Sequence, residues 1–250
     1  YKERAKPLEP ILDQFGLVLV SASEQKDPWQ GRSTVAITLK IMAKAFSAED
    51  DTVVNIIKFL VDDGGLVDRE PIVRQEMKEA GVELITLHGS QNSKDLIPIF
   101  EEALSSSTDS ALKENVIILY GTLARHLQQS DARIHTIIER LLSTLDTPSA
   151  DIQQAVSACI APLVFQFKQK VGDYLGILME KLLNPTVASS MRKGAAWGIA
   201  GLVKGYGISA LSEFDIIRNL IEAAEDKKEP KRRESVGFCF QYLSESLGKF

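Results

Sequence analysis

The stretch QQAVSACIAPL occupies residues 153–163 and aligns without a gap with KENVIILYGTL at residues 113–123. The same register continues in KGAAWGIAGLV at residues 193–203 and in RESVGFCFQYL at residues 233–243. The four segments start 40 residues apart. In each of them the fourth, seventh and eleventh residues are apolar. This spacing of i, i+3 and i+7 places the three side chains on one face of a helix. The recurrence therefore predicts a helix that repeats every 40 residues.

Three apolar columns and one polar column extend this register along the chain. The first apolar column is Val35, Met77, Val116, Val156, Ala196 and Val236. The second, three residues later, is Thr38, Ala80, Leu119, Cys159, Ile199 and Cys239. The third, seven residues after the first, is Met42, Leu84, Leu123, Leu163, Val203 and Leu243. The polar column, three residues before the first, is Arg32, Arg74, Lys113, Gln153, Lys193 and Arg233.

A second set of helices shows the same period. Its members are marked by Ile57, Ile97, Ile137, Ile177 and Ile217. A period near 40 residues with two helices in each unit is typical of HEAT and armadillo repeats. We therefore predict an all-α fold, a right-handed α-solenoid of about six HEAT repeats in a single domain over residues 1–250. The repeats are placed at residues 7–47, 50–89, 94–129, 131–169, 171–208 and 212–250, and the alternative is a helical bundle without repeats.

Composition and charge restrict the possible functions. The chain has 250 residues, of which 44% are hydrophobic and 25% are charged, an ordinary globular balance. It contains no run of about 18 apolar residues, so no membrane span is expected. The net charge of −5 argues against a general affinity for nucleic acid, so any phosphate contact must be local. Because the sequence opens on Tyr1 rather than Met, we expect it to be part of a longer protein.

No catalytic or metal-binding constellation stands out in the sequence. The three histidines, His88, His126 and His135, fall in separate helical runs without a ligand spacing. Cys159 and Cys239 share one column two repeats apart, which favours small buried side chains over a disulfide. No nucleophile, phosphate-binding or zinc motif is present. We therefore predict that the protein is not an enzyme and that it needs no cofactor, metal or small-molecule substrate.

Within each repeat we call the helix of the second set, marked by isoleucine, the A helix and the helix that carries the three apolar columns the B helix. A glycine stripe distinguishes the B helix of the fifth repeat from the others. Its members are Gly194, Gly198, Gly201 and Gly205, on the helix face opposite the buried stripe. Each interior glycine costs a helix about 1 kcal/mol relative to alanine. One interpretation is a docking groove for a partner, flanked by Lys193, Trp197 and Lys204. The alternative is that a neighbouring helix or another segment of the protein packs closely against the bare backbone.

A basic loop joins the helices of the sixth repeat. Residues 191–250 contain ten Lys or Arg and eight Asp or Glu, a balance of +2, which leaves −7 for the remainder. This asymmetry favours phosphate contact at the loop. The residues predicted to touch RNA are Lys227, Lys228, Lys231 and Arg232. The alternative is a solvated loop in which these cations pair with Asp226, Glu229 and Glu234.

Several segments resemble one known family. The most specific is RKGAAWGIAGLVKG at residues 192–205, because ordinary HEAT helices avoid such a glycine-rich run. Weaker similarities are WQGR at 29–32, PLV at 162–164, DKK at 226–228, RRE at 232–234 and LGK at 247–249. Together they resemble the Gcn-one (general control non-derepressible one) family, the very large HEAT-repeat activators of the general amino-acid control kinase.

The resemblance implies a cytoplasmic scaffold that binds translating or stalled ribosomes. It also implies a role in passing the signal of uncharged tRNA, which marks amino-acid starvation, to the kinase of the initiation-factor alpha subunit. The family works with an ATP-binding-cassette partner, and this segment would lie just before, or at the start of, the region similar to the third elongation factor. The alternative function is a protein-only HEAT adaptor or spacer without direct ribosome contact.

Overall fold

The computed structural model describes residues 29–46 and 51–248. These residues form eleven α-helices and no β-strand, so the all-α prediction is confirmed. The helices are α1 (Trp29–Met42), α2 (Thr52–Asp62), α3 (Pro71–Ser106), α4 (Ser110–Ala124), α5 (Arg133–Thr144), α6 (Ala150–Ile160), α7 (Val171–Leu183), α8 (Ser189–Tyr206), α9 (Ala210–Glu213), α10 (Ile216–Ala224) and α11 (Pro230–Leu247). The predicted first A helix, near residues 7–20, lies outside the described residues.

The described helices belong to two compact units, which divide between Leu127 and Gln128. In the first unit, α3 is the central element, and α1, α2 and α4 pack against it. In the second unit α8 is central and is contacted by α6, α7 and α11. Each unit is therefore organised around one long B helix with shorter helices on its sides.

The three apolar columns form the core of these helices, as predicted. All six members of the first column are buried, with exposed fractions between 0% and 8%. In the second and third columns only Thr38 and Met42, both in α1, are partly exposed. The period of 40 residues thus identifies the buried face of the B helices from α3 onward, and in α1 it does so only at Val35.

The isoleucine column of the A helices is less uniformly buried than the columns of the B helices. Ile57, Ile97 and Ile137 are buried, whereas Ile177 is 59% exposed. In α7 the neighbouring Leu178 is buried instead. Successive residues are about 100° apart around a helix, so a shift of one position turns the side chain out of the core. All five isoleucines lie in helices, so the 40-residue period marks the A helices, but this position does not face the core in every one of them.

Helix α3 runs through the predicted division between the second and third repeats at residues 89–94. This stretch contains Gly89 but no proline, and Asn92 donates its side-chain amide to the His88 carbonyl at 2.9 Å. This bond satisfies the buried asparagine inside the helix, where it would otherwise favour a turn. Pro98 also lies inside α3. One 36-residue helix thus supplies the B helix of one repeat and the A helix of the next.

The polar column has a common structural role in three repeats. Arg74 donates to the Asp68 carbonyl at 2.5 Å. Gln153 donates to the Thr147 carbonyl at 2.7 Å, and Arg233 donates to the Asp226 carbonyl. Each accepting carbonyl belongs to the loop between the two helices of the same repeat. These long side chains satisfy loop carbonyls that no helix bond reaches.

Further polar contacts join the loop of one repeat to the helix of its neighbour. Arg32 forms a bidentate pair with Asp68, at 2.6 and 2.9 Å. Asn115 donates to the Leu66 carbonyl at 2.9 Å. Gln153 reaches forward to the Ser190 carbonyl at 2.9 Å. The loops at the start of the B helices are therefore held in place from two sides, which matters for the loop at residues 225–229.

Candidate functional site

The basic loop connects α10 to α11 and is organised around Asp226. One carboxylate oxygen of Asp226 accepts from the backbone amides of Lys228 and Glu229, at 2.9 and 3.1 Å. The other oxygen accepts from Arg232 at 2.8 Å. The backbone donors of Glu229 and Lys228, and then the guanidinium of Arg232, hold the pKa of Asp226 below its ordinary value. An ionised Asp226 therefore fixes the loop conformation.

The four predicted RNA-contacting residues divide into two pairs. Lys231 donates to the Pro185 carbonyl at 3.0 Å, and Arg232 is paired with Asp226. Lys227 and Lys228 are exposed, and their ammonium groups bond to no other residue in the described part of the chain. Arg232 is therefore paired within the protein, as the alternative interpretation of the loop expected. Lys227 and Lys228 present their charges to solvent.

A buried arginine anchors the start of α11. Arg192 in α8 is 2% exposed. It donates to the Lys231 carbonyl and to the Ser235 hydroxyl, each at 2.7 Å, and to Glu234 at 2.7 Å. A buried guanidinium with several charge-assisted bonds is a strong and directional tie. Arg192 therefore fixes the first turn of α11, and with it the end of the basic loop.

The glycine face of α8 is filled by the protein itself. A Cβ at Gly201 would lie 2.6 Å from the Ser157 carbonyl oxygen, and one at Gly198 would lie 2.7 Å from a methyl group of Leu145. Cβ atoms at Gly194 and Gly205 would overlap the carbonyls of Leu145 and Ala161. The predicted docking groove at Gly194, Gly198, Gly201 and Gly205 is therefore corrected. These glycines allow α8 to approach α6 and its flanking turns, and replacing Gly198 and Gly201 by leucine would disrupt the fold.

The residues beside this face also have internal roles. Trp197 is 6% exposed and stacks on Tyr242 of α11, with ring centroids 4.2 Å apart. The Lys193 ammonium lies 5.1 Å from the centre of the Phe238 ring. Lys204 is exposed at the end of α8. Lys193 and Trp197 thus help to join α8 to α11, which again stabilises the neighbourhood of the basic loop.

The histidines and cysteines do not form a reactive centre. His88 is buried and bonds to the Ala43 carbonyl at 2.7 Å. His135 contacts the Lys170 ammonium and the Tyr174 hydroxyl, at 2.9 and 3.1 Å. Burial raises the pKa of the Cys239 thiol to about 12. In residues 29–46 and 51–248 no three His, Cys, Asp or Glu side chains are grouped so as to hold a metal ion.

Comparison with known proteins identifies the family. The sequence model described as "Stalled ribosome sensor GCN1, HEAT repeats" matches residues 1–125, which is half of the chain. The chain belongs to the GCN1 HEAT-repeat family. The family resemblance stated from the sequence is confirmed by this match and, for the half of the chain that holds the glycine-rich run and the basic loop, by relatives that match the chain over its whole length.

Three relatives of this GCN1-family chain match along most of its length. The human "Stalled ribosome sensor GCN1" is 36% identical over 253 residues, covering 100% of this chain. The Arabidopsis thaliana "Protein ILITYHIA" is 35% identical and covers 94%, and the Dictyostelium discoideum "eIF-2-alpha kinase activator GCN1" is 33% identical and covers 90%. The chain spans only 9% of the length of each. An engineered protein of known crystal structure has a TM-score of 0.43 at 16% identity, too distant a likeness to bear on the fold.

Sequence reasoning missed Arg192, which fixes the start of α11 directly after the basic loop of this GCN1-family chain. Arg192 stands next to Lys193 of the polar column, and a charged residue outside the apolar columns suggests exposure. Its burial follows from the close approach of α8 and α11, which the 40-residue period does not describe. Among the described residues no helix is long and apolar enough to span a membrane.

Proposed function

We propose that this GCN1-family segment is a non-enzymatic scaffold that contacts the ribosome through the loop at Lys227 and Lys228. One observation carries the proposal: two solvent-facing ammonium groups project from a loop that Asp226 and Arg192 hold in one conformation. Because the loop backbone is already ordered, phosphate binding costs only the side-chain entropy of the two lysines. Lys231 also lies at this surface, and Arg232 contributes by positioning the loop.

The names of the relatives support a role in translational control. The human and mouse relatives are named stalled ribosome sensors, and the Dictyostelium relative is named an eIF-2-alpha kinase activator. We propose that the full-length protein acts in the cytoplasm and signals amino-acid starvation to that kinase. Contacts with the kinase and with an ATP-binding-cassette partner are proposed for the full-length protein and are assigned to no residue of this segment.

Co-sedimentation with purified ribosomes over a salt series tests the proposal. The test variant is Lys227→Glu with Lys228→Glu. Its matched control is Lys58→Glu with Lys94→Glu, which makes the same charge change at two exposed lysines elsewhere. Each phosphate contact adds roughly 0.7 to 0.9 to the slope of log affinity against log salt concentration. We therefore expect the loop variant to bind more weakly and to lower this slope by about 1.4 to 1.8.

The control variant should bind as the wild type does. If both variants lose affinity equally, the effect comes from net charge alone and the loop has no special role. If wild-type binding does not depend on salt, the contact is not with phosphate. Binding that is salt-independent, or absent, would favour the protein-only adaptor.

A further inference from the structure

A groove in the second unit lies between α7 and the start of α10, and the basic loop and the start of α11 close one side of it with Glu229 and Arg232. Its volume is about 820 Å³, within the range of about 300–1,000 Å³ seen for ligand sites. Its apolar floor is formed by Leu175, Met179, Leu183 and Phe214. The α7 residues that line it extend from Gly172 to Leu183, which is about 16 Å at 1.5 Å per residue. The groove therefore has the length of about three helical turns.

Gly176 keeps the middle of this groove open. It is an exposed residue inside α7, and no heavy atom lies within 4 Å of the position its Cβ would take. The glycines of α8 differ in this respect, because each of them is in contact with another part of the protein. A glycine weakens a helix relative to alanine, and the described contacts of Gly176 offer no packing gain in return.

The edges of the groove are acidic. Glu180, Asp215 and Glu229 line it and are exposed, and their carboxylates bond to no side chain in the described part of the structure. The cation among the lining residues, Arg232, is already paired with Asp226. At one end, the Lys231 ammonium is bonded to the Pro185 carbonyl. The groove thus combines an apolar floor with an excess of negative charge on its edges.

From this combination we infer that the groove binds a basic amphipathic helix of a protein partner. A three-turn apolar floor accommodates side chains at i, i+3 or i+4, and i+7 of a docked helix. Lysine or arginine residues on the flanks of that helix would face Glu180, Asp215 and Glu229. Nucleic acid is disfavoured because the carboxylates repel phosphate. A second copy of this chain is disfavoured because its net charge is −5. The inference does not depend on the ribosome contact proposed above.

The test uses the 250-residue chain and two fluorescein-labelled 14-residue peptides. The first has leucine at i, i+3, i+4 and i+7 and lysine elsewhere, and the second replaces each lysine by glutamate. Fluorescence anisotropy then compares wild type with Gly176→Phe, which fills the groove. The matched control is Gly237→Phe, because Gly237 is also an exposed helical glycine with no heavy atom within 4 Å of its Cβ position. Circular dichroism checks that both variants remain folded.

We expect the lysine peptide to bind wild type and Gly237→Phe equally, and Gly176→Phe at least tenfold more weakly. Glu180→Gln with Asp215→Asn should weaken binding by about threefold to tenfold, since exposed charge pairs contribute modestly. Equal binding to Gly176→Phe and wild type would overturn the inference, as would tighter binding of the glutamate peptide. A concentration-dependent dimer of the wild type that Gly176→Phe abolishes would instead make a second copy the occupant.

Discussion

Alanine at Gly201 is expected to destabilise the second unit, although alanine is the better helix former. A Cβ at Gly201 would lie 2.6 Å from the Ser157 carbonyl oxygen and 3.1 Å from the Ser157 Cα. Ordinary van der Waals contact begins near 3.4 Å, so the oxygen is about 0.8 Å too close. Both atoms belong to the backbone of α6, which cannot rotate away as a side chain could. The clash can be relieved only by separating α6 from α8.

The size of the effect follows from two opposing contributions. Overpacking of a well-packed core costs about 1–3 kcal/mol, and a backbone clash belongs at the upper end. The gain in helix propensity from glycine to alanine is about 1 kcal/mol. The net loss is therefore about 2 kcal/mol, which lowers the melting temperature by about 4–8 °C for a protein of this size.

Gly176→Ala is a matched control, because it should raise the free energy of unfolding where Gly201→Ala lowers it. No atom lies near its Cβ position, so only the helix-propensity gain of about 1 kcal/mol remains. Urea unfolding followed by circular dichroism at 222 nm measures both variants against wild type. If Gly201→Ala is as stable as Gly176→Ala, the glycine face is not in tight contact with α6, and the argument that it is filled by the protein fails.

Three further predictions concern the basic loop and the core. Arg192→Met should lower the free energy of unfolding by about 2–3 kcal/mol, because three hydrogen bonds at the start of α11 are lost. The cost is limited because the half-exposed carboxylate of Glu234 can return to solvent. A loss below about 0.5 kcal/mol in urea unfolding would contradict this role of Arg192. The ordering of the loop should be fully present above the ordinary Asp226 pKa of 3.8 and be lost as the pH falls through the lowered folded value. The protection of the Lys228 and Glu229 amides, measured relative to their intrinsic exchange rates, should fall in that range. An Asp226→Asn variant with the same pH profile would refute the assignment. Cys239, with a pKa raised to about 12 by burial, should react with a thiol reagent at pH 8 only after unfolding, and rapid labelling of the native protein in a Cys159→Ala background would disprove its burial.

The sequence alone predicts the B helices because their burial repeats with a fixed period. Val116, Val156 and Ala196 are each fully buried, and they stand 40 residues apart. This regularity reflects one physical constraint, since every repeat must bury the same face against its neighbours. The start of α11 can also be read from the sequence, because Pro230 occupies its first turn and proline suits that position of a helix.

The periodic pattern does not show which turns interrupt the helices. Between residues 89 and 94 the sequence is polar enough for a loop, yet the Asn92 side chain finds a helical partner in the His88 carbonyl. That outcome depends on burial of Asn92 by other helices, which is not a local property. The loop expectation therefore fails at this position for a tertiary reason.

The candidate site was predictable only in part. The basic loop is visible in the sequence because five cations stand within seven residues, but the division between exposed Lys227 and paired Arg232 depends on the geometry around Asp226. The glycine stripe was visible as well, and its meaning was not. An exposed groove and a tight helix contact both require the absence of a Cβ, so only the position of α6 decides between them.

Helix α3 has a mechanical consequence for the first unit. Repeat arrays usually flex at the short connections between repeats, where few hydrogen bonds must be stretched. In the first unit the connection at residues 89–94 is part of the continuous 36-residue helix α3. Bending at this connection would therefore break several consecutive backbone hydrogen bonds. A force applied to α1 or α2 is therefore passed along α3 toward α4, and within α3 bending is easiest at Pro98, which donates no backbone hydrogen bond.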